Sequence, residues 1–432
     1  MSRPQPKASG RHSEQDVNIL LISESFPFDG PDTPFLPREA AYLGSRAHVD
    51  IAPLWRGTTP MEPLPAGVML VRSLSEACAS RAMRMTMLVK AMLSPGLYGE
   101  LFRQGPAALR PGSAAITAMR LARALVAERW MRRYLESAGD RRPDVVYAWW
   151  SFAEAYGVAR ALVGSGIPLV TRMHGYDLFA EQEAIGFVPF QRQLIERATC
   201  AASVSHAGSA YLKALYPDLS GRITTSNLGT EDPGTLNEPS IDGVLRIATC
   251  SSNTPVKRVE LLARSLSHMS TAPADIEFHW THIGSGPLID DLKALIETLP
   301  GLAGRCTLTG QLPPPRVRQW FRNNEVDLFV NTSSSEGLPV SLMEAASFGI
   351  PMIATRVGGN PEIVNAVNGA VLAPDPSPEE IAKAVAAFAR LTAEERGAKR
   401  AASRDTFERD YEATGNYSAF FKLLVDASRG RS

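Results

Sequence analysis

The chain has little cysteine and no paired motif for it. Four cysteines, Cys78, Cys200, Cys250 and Cys306, are scattered through 432 residues without a Cys-x-x-Cys or a Cys/His ligand spacing. That excludes a disulfide framework and a sequence-encoded zinc module, and it reads as a reduced, intracellular protein. Net charge is also missing, with 45 basic and 45 acidic residues. Whole-chain charge therefore gives no footing for nucleic acid, which is not an expected partner. No apolar run approaches the roughly 18–20 residues that a membrane-spanning helix needs. No Gly-x-Gly-x-x-Gly follows the first apolar strand, and "HIGSGPLIDDL" (282–292) lacks the further glycine. This sets aside an oxidoreductase or epimerase with a dinucleotide site. No Asp-x-Asp segment is placed to hold a metal, so neither metal nor cofactor is expected. Residues 1–16, "MSRPQPKASGRHSEQD", carry no apolar core and read as a disordered lead-in.

What is present is an ordinary globular composition, 44% hydrophobic and 21% charged, on a chain long enough for two domains. "VNILLIS" (17–23) reads as a buried parallel strand running into a long loop, "ESFPFDGPDTP". A helical segment "PFLPREAAYLGSR" and the strand "HVDIAPL" complete a βαβ opening. "DVVYAWW" (144–150), "IPLVTRMHG" (167–175) and "CAASVS" (200–205) continue the series. The pattern restarts with "LRIATCSS" (245–252), followed by further strands at "IEFHWTHIGSGP", "DLFVNTSSS" (327–335) and "PMIAT" (351–355). The loop 227–243, rich in Gly, Pro, Asn and Asp, marks the boundary. The expected fold is α/β, with two doubly wound Rossmann-like domains, 17–235 and 240–405, facing across a cleft. A C-terminal helix, 406–428, is expected to return to the first domain. Ligands of such sheets sit at strand carboxyl ends.

Residues 73–142 depart from the neutral whole, with twelve basic against five acidic residues, a net of +7. "SRAMRMTMLVKAML" alternates basic and apolar residues at helical spacing. Two readings stand: a solvated helical insertion, or a helix pair lying on an anionic membrane surface at the inner face of the plasma membrane.

The most telling stretch is "SSSEGLPVSLMEAASFGIPMIATRVGGNPEIV" (333–364). Glu336 lies in a small-residue loop, and Glu344 follows with seven residues between them. Pro339 suits a helix's first turn, and Gly349 with Pro351 suits its end, so a helix is expected over 340–348. Amides at such an N-terminus, near Gly337, Leu338, Pro339 and Val340, attract phosphate, although Pro339 has no N–H to give. Carboxylates flanking that point suit a ligand with hydroxyls at both ends of a diphosphate. A nucleotide sugar has that layout, with Glu336 on the sugar and Glu344 on the ribose.

This region closely resembles the E-x7-E segment of retaining glycosyltransferases of family 4, which have the GT-B fold. "CSSNTPVKRVELLARSL" (250–266) resembles the family's phosphate-binding strand and loop, and "HIGSGPLIDDL" its glycine turn. "GGNPEIV" (358–364) and "NGAVLAPD" (368–375) resemble its next loops, and "TRMHGYDLF" (171–179) its His-Gly-x-Asp segment. Ser251 stands where the family usually has an arginine, and the first loop has a lone Gly30. The resemblance implies a retaining hexosyltransferase. Its donor is a UDP- or GDP-linked sugar, and its acceptor is a saccharide or lipid-linked molecule of surface polysaccharide, lipopolysaccharide or glycolipid synthesis. It implies catalytic roles for His174, Lys257 and Glu336. It implies donor contacts from Ser252, Arg258, Gly284, Gly337, Leu338, Pro339, Val340, Glu344 and Asp177. The contrasting readings are a non-catalytic nucleotide-sugar sensor or scaffold, a loop histidine at His174, a solvated Lys257, turn glycines at Gly284 and Gly286, and a helix cap at Glu362.

Overall fold

Short, fully buried apolar runs ended by turn residues build parallel strands, because both faces of such a strand must be covered. The computed structural model describes residues 17–30, 32, 35–57, 60, 63–270 and 276–430, so the lead-in 1–16 lies outside the described residues. Seven strands form the first sheet: β1 (Asn18–Ser23), β2 (His48–Pro53), β3 (Val68–Leu70), β4 (Val145–Ala148), β5 (Leu169–Met173), β6 (Cys200–Ser203) and β7 (Ile223–Thr225). Their order is β3-β2-β1-β4-β5-β6-β7. Six strands form the second: β8 (Leu245–Cys250), β9 (Phe278–Ile283), β10 (Cys306–Leu308), β11 (Leu328–Asn331), β12 (Met352–Thr355) and β13 (Gly369–Leu372). Their order is β10-β9-β8-β11-β12-β13, parallel throughout. Both are doubly wound. Strand order reverses between β1 and β4 in the first sheet and between β8 and β11 in the second. These switch points are where such sheets open a crevice.

By contacts the chain divides into two compact units. The first is Met1–Arg172, Ala184–Ala201 and Phe420–Ser432, and the second is Met173–Glu183 and Ala202–Ala419. The last helix is Ala413–Ser428. Its Phe420 lies in the first unit, with the Arg172 guanidinium 3.8 Å above its ring. Arg172 itself is buried, paired with Glu39 at 2.6 Å, and Tyr147 donates to the same carboxylate at 2.8 Å.

The basic segment is not a helix pair. Four α-helices fill it: Ser73–Ala79, Arg81–Met92, Pro95–Gln104 and Ser113–Ser137. Leu74, Met87, Ala91, Leu97, Leu121 and Trp130 carry their inner faces into the first unit's core. Val89, Leu93, Tyr98, Phe102 and Leu109 remain exposed on the outside. The second core gathers Ile247, Leu262, Leu266, Trp280 and Val330 around the second sheet. Among the described residues no helix is long and apolar enough to cross a membrane.

Candidate functional site

The site is built at the carboxyl ends of β8 and β11, the neighbouring strands at the second sheet's switch point. β11 ends in Asn331, whose Oδ1 accepts the Ser333 N–H at 3.0 Å and turns the chain out of the sheet. The turn delivers Glu336 inward, 7% exposed. One oxygen, Oε1, accepts from Ser333 Oγ at 2.6 Å, Asn331 Nδ2 at 3.2 Å and Lys257 Nζ at 2.7 Å. Three donors on one oxygen offset the desolvation of a buried carboxylate. Lys257 and Glu336, distant in sequence, therefore meet directly.

Behind Glu336 the backbone is packed to contact. A Cβ on Gly337 would stand 2.1 Å from the His174 carbonyl oxygen, and one on Gly358 would stand 1.7 Å from that of Glu336. Close approach thus brings the His174 loop and the Glu336 loop together, and Gln182 Nε2 donates to Ser335 Oγ at 2.6 Å beside them. Asp177 is buried and shapes the His174 loop, accepting from the N–H groups of His174 (2.7 Å) and Gly175 (3.2 Å). The His174 ring stands 3.8 Å from the second Asp177 oxygen.

The helix after the loop is Val340–Ser347, with buried Leu338 before it and Pro339 in extended geometry as its N-cap, one position earlier than a first-turn proline. No side chain caps that N-terminus. Glu344, 8% exposed, lies near Arg318, with Nη1 to Oε1 at 4.0 Å. At the end of β8, burial first and the negative charge of Glu344 second push the Cys250 thiol well above its usual range.

Arg258 directly follows Lys257 and is held by the loops around it. Its φ is +48°. Its guanidinium donates to the carbonyls of Thr332 (2.8 Å), Ser333 (3.0 Å) and Pro374 (2.7 Å) and to Asp375 (2.8 Å). These four bonds tie the loop after β11 to the loop after β13. Ser252 is exposed on the loop after β8, and its carbonyl accepts the Thr254 N–H at 3.1 Å. Gly284 lies against that loop, where a Cβ would stand 1.9 Å from the Ser251 oxygen. Glu362 caps a helix: its carboxylate accepts the N–H groups of His206 (2.9 Å) and Ala207 (2.8 Å) at the start of His206–Leu215. Sequence reading missed Asn331, Ser333, Gln182 and Arg318. Only the first two carried a signal, as turn-forming side chains at a strand end.

His282, at the end of β9, is fully buried and within 3.0 Å of Thr249 Oγ1. Burial pushes its pKa down from 6.5 to about 4. The folded chain resists this proton while the unfolded chain takes it near 6.5, so stability falls as pH drops through that window. At 1.36 kcal/mol per pH unit, the effect reaches roughly 3 kcal/mol. Urea unfolding at pH 7 and pH 4.5 should show a smaller acid loss for His282→Gln than for the wild type; equal losses would show that His282 is not the group.

A family model described as Glycosyl transferases group 1 matches residues 244–390. Over those residues the chain is similar to that family's glycosyltransferase domain. WcaL of Escherichia coli (strain K12), named for colanic acid biosynthesis, is 24% identical over 251 residues, 56% of this chain and 60% of that protein. The phosphatidylinositol N-acetylglucosaminyltransferase GPI3 subunit of Saccharomyces cerevisiae is 25% identical over 227 residues, 49% of each. The chain thus spans about half to three-fifths of the length of these relatives. Among solved structures, HepE of Anabaena in complex with UDP superposes with a TM-score of 0.66 at 16% identity, covering 95% of this chain and all of that one. The lipopolysaccharide outer core galactosyltransferase WaaB superposes with a TM-score of 0.65 at 16% identity, covering 96% and 99%. The fold is GT-B.

Proposed function

We propose that the protein transfers a hexosyl group from a nucleotide-diphosphate sugar, UDP- or GDP-linked, to a saccharide or lipid-linked acceptor, with retention at the anomeric carbon. The product belongs to a surface polysaccharide, a lipopolysaccharide or a glycolipid. The observation that carries this reading is the part-buried Lys257–Glu336 pair, placed one short loop before the helix that presents Glu344. HepE of Anabaena was solved with UDP-glucose, which supports a nucleotide-sugar donor on this fold.

In this reading Lys257 meets the diphosphate and stabilises charge on the departing nucleotide, joined by the uncapped N-terminus of Val340–Ser347. Glu336, released from Lys257, accepts sugar hydroxyls through Oε2, and Glu344 accepts the ribose diol. His174 lines the reacting end. The acceptor attacks from the face the leaving group vacates, and a leaving-phosphate oxygen takes its proton. The chain contributes position and field rather than a nucleophile or a metal. Purified protein offered UDP-, GDP- and ADP-linked sugars should release nucleotide from one of them, and Glu344→Ala should lose that release. Tight nucleotide binding without release would favour a sensor or scaffold instead.

The protein is further proposed to be cytoplasmic and to rest peripherally on anionic membrane through the helices of 73–142. Their exposed Leu93 and Phe102 sit among the segment's arginines. It should co-sediment with anionic vesicles and not with neutral ones; equal binding to both would remove the electrostatic account.

A further inference from the structure

Between helices Arg81–Met92 and Ser113–Ser137 lies a cavity of about 470 Å³, floored by Met85, Leu88, Met119, Ala122 and Val126. A second, of about 370 Å³, adjoins it, since Arg84, Arg123 and Val126 line both. The second reaches Leu54, Trp55 and Arg56, which directly follow β2, at the carboxyl edge of the first sheet. Cationic side chains flank this path: Arg56, Arg81, Arg84 and Arg123. The one carboxylate in it, Glu154, is buried and paired with Arg123. The path is therefore apolar at one end and net positive where the two cavities join.

Met85 is 61% exposed and Met119 50% exposed. An open methionine-lined groove is costly to leave in water and adapts well to a flexible chain. We infer that this groove holds the apolar chain of a phosphate-headed lipid acceptor, with its phosphate at Arg84 and the neighbouring arginines and its sugar-accepting end directed along Trp55 and Arg56. A flat bilayer contact would use the outward residues such as Phe102 instead. The assignment of this lipid as acceptor rests on the transferase reading; the groove's occupancy does not.

The test uses alkyl phosphates below their micelle concentrations, titrated into the full chain by calorimetry. From octyl to dodecyl phosphate, affinity should rise about fourfold per methylene and then level off as the groove fills. Dodecyl maltoside, which has the chain without the charge, should bind at least tenfold more weakly. Met119→Glu, at an exposed position, should weaken dodecyl phosphate at least tenfold, Met119→Leu should not, and nucleotide binding should be unchanged in both. Affinity indifferent to chain length, or untouched by Met119→Glu, overturns the groove. A silent donor panel with intact alkyl-phosphate binding sinks the transferase reading alone; an active panel with Met119→Glu binding dodecyl phosphate normally sinks the groove alone.

Discussion

Lys257→Ala is expected to lower donor-dependent nucleotide release about 10²- to 10³-fold, the range seen when one preorganised electrostatic stabiliser is removed. Glu336→Gln should cost a comparable factor, and the double variant far less than the product of the two. The reason is the 2.7 Å contact between Lys257 Nζ and Glu336 Oε1. Without the lysine, the carboxylate keeps only Asn331 and Ser333 as donors on Oε1 while remaining buried. Breaking a buried pair costs about 3–5 kcal/mol. Because the Lys257 side chain is 21% exposed, water screens part of that, leaving about 1–2 kcal/mol as the expected stability loss. Groups in direct contact couple by about 0.5–3 kcal/mol. Release assays on the two single variants and the double, with urea unfolding of each, give the coupling. Strictly additive losses in release would show that the two side chains do not act as one unit.

The pair also explains how one site tolerates a lysine and a buried carboxylate without ligand. Each satisfies the other at 2.7 Å. In the proposed reading, donor binding is an exchange in which Lys257 moves its interaction to phosphate while sugar hydroxyls replace it on the carboxylate. Binding energy then depends on the difference between two charge-assisted arrangements, and a nucleotide without the sugar would leave Glu336 poorly matched.

Legibility in the sequence follows burial. β4, β5, β11 and β12 are buried at every position, and each lies in a run read as a strand. β3, β7, β10 and β13 were not read, and all four are sheet edges. Edge strands face solvent on one flank, so they need no apolar run: β13 is intermediate at every position, and β10 shows no buried residue. The two glutamates were legible because their spacing is local to one loop and helix. The partners of Arg258 were not legible, because the Thr332, Ser333 and Pro374 carbonyls it binds come from segments distant in sequence. Gln182 and Arg318 reach the site from distant segments and left no local signal. In 73–142 the charge was readable, but the sorting of apolar residues into core and surface was not, because several helices divide them between two faces.

Gly358→Ala is expected to cut turnover tenfold to a hundredfold and to destabilise the chain by about 2–5 kcal/mol. Two costs combine. Gly358 has φ +47°, where an L side chain costs about 1–2 kcal/mol. The new Cβ would also stand 1.7 Å from the Glu336 carbonyl oxygen, a backbone atom that no rotamer change can move aside. Relieving such overpacking typically costs about 1–3 kcal/mol. The loop that must yield carries Glu336 itself, so the displacement passes to the carboxylate and its contact with Lys257. A shift near 1 Å at a reacting group is enough for about 10² in rate. The matched control is Gly397→Ala in helix Ala393–Thr406, where a Cβ meets nothing within 4 Å. That change should stabilise by about 0.5–1 kcal/mol and leave release unchanged. Thermal unfolding with the release assay distinguishes the two: a Gly358→Ala variant that remains stable and fully active would mean that the Glu336 loop is not held by this contact.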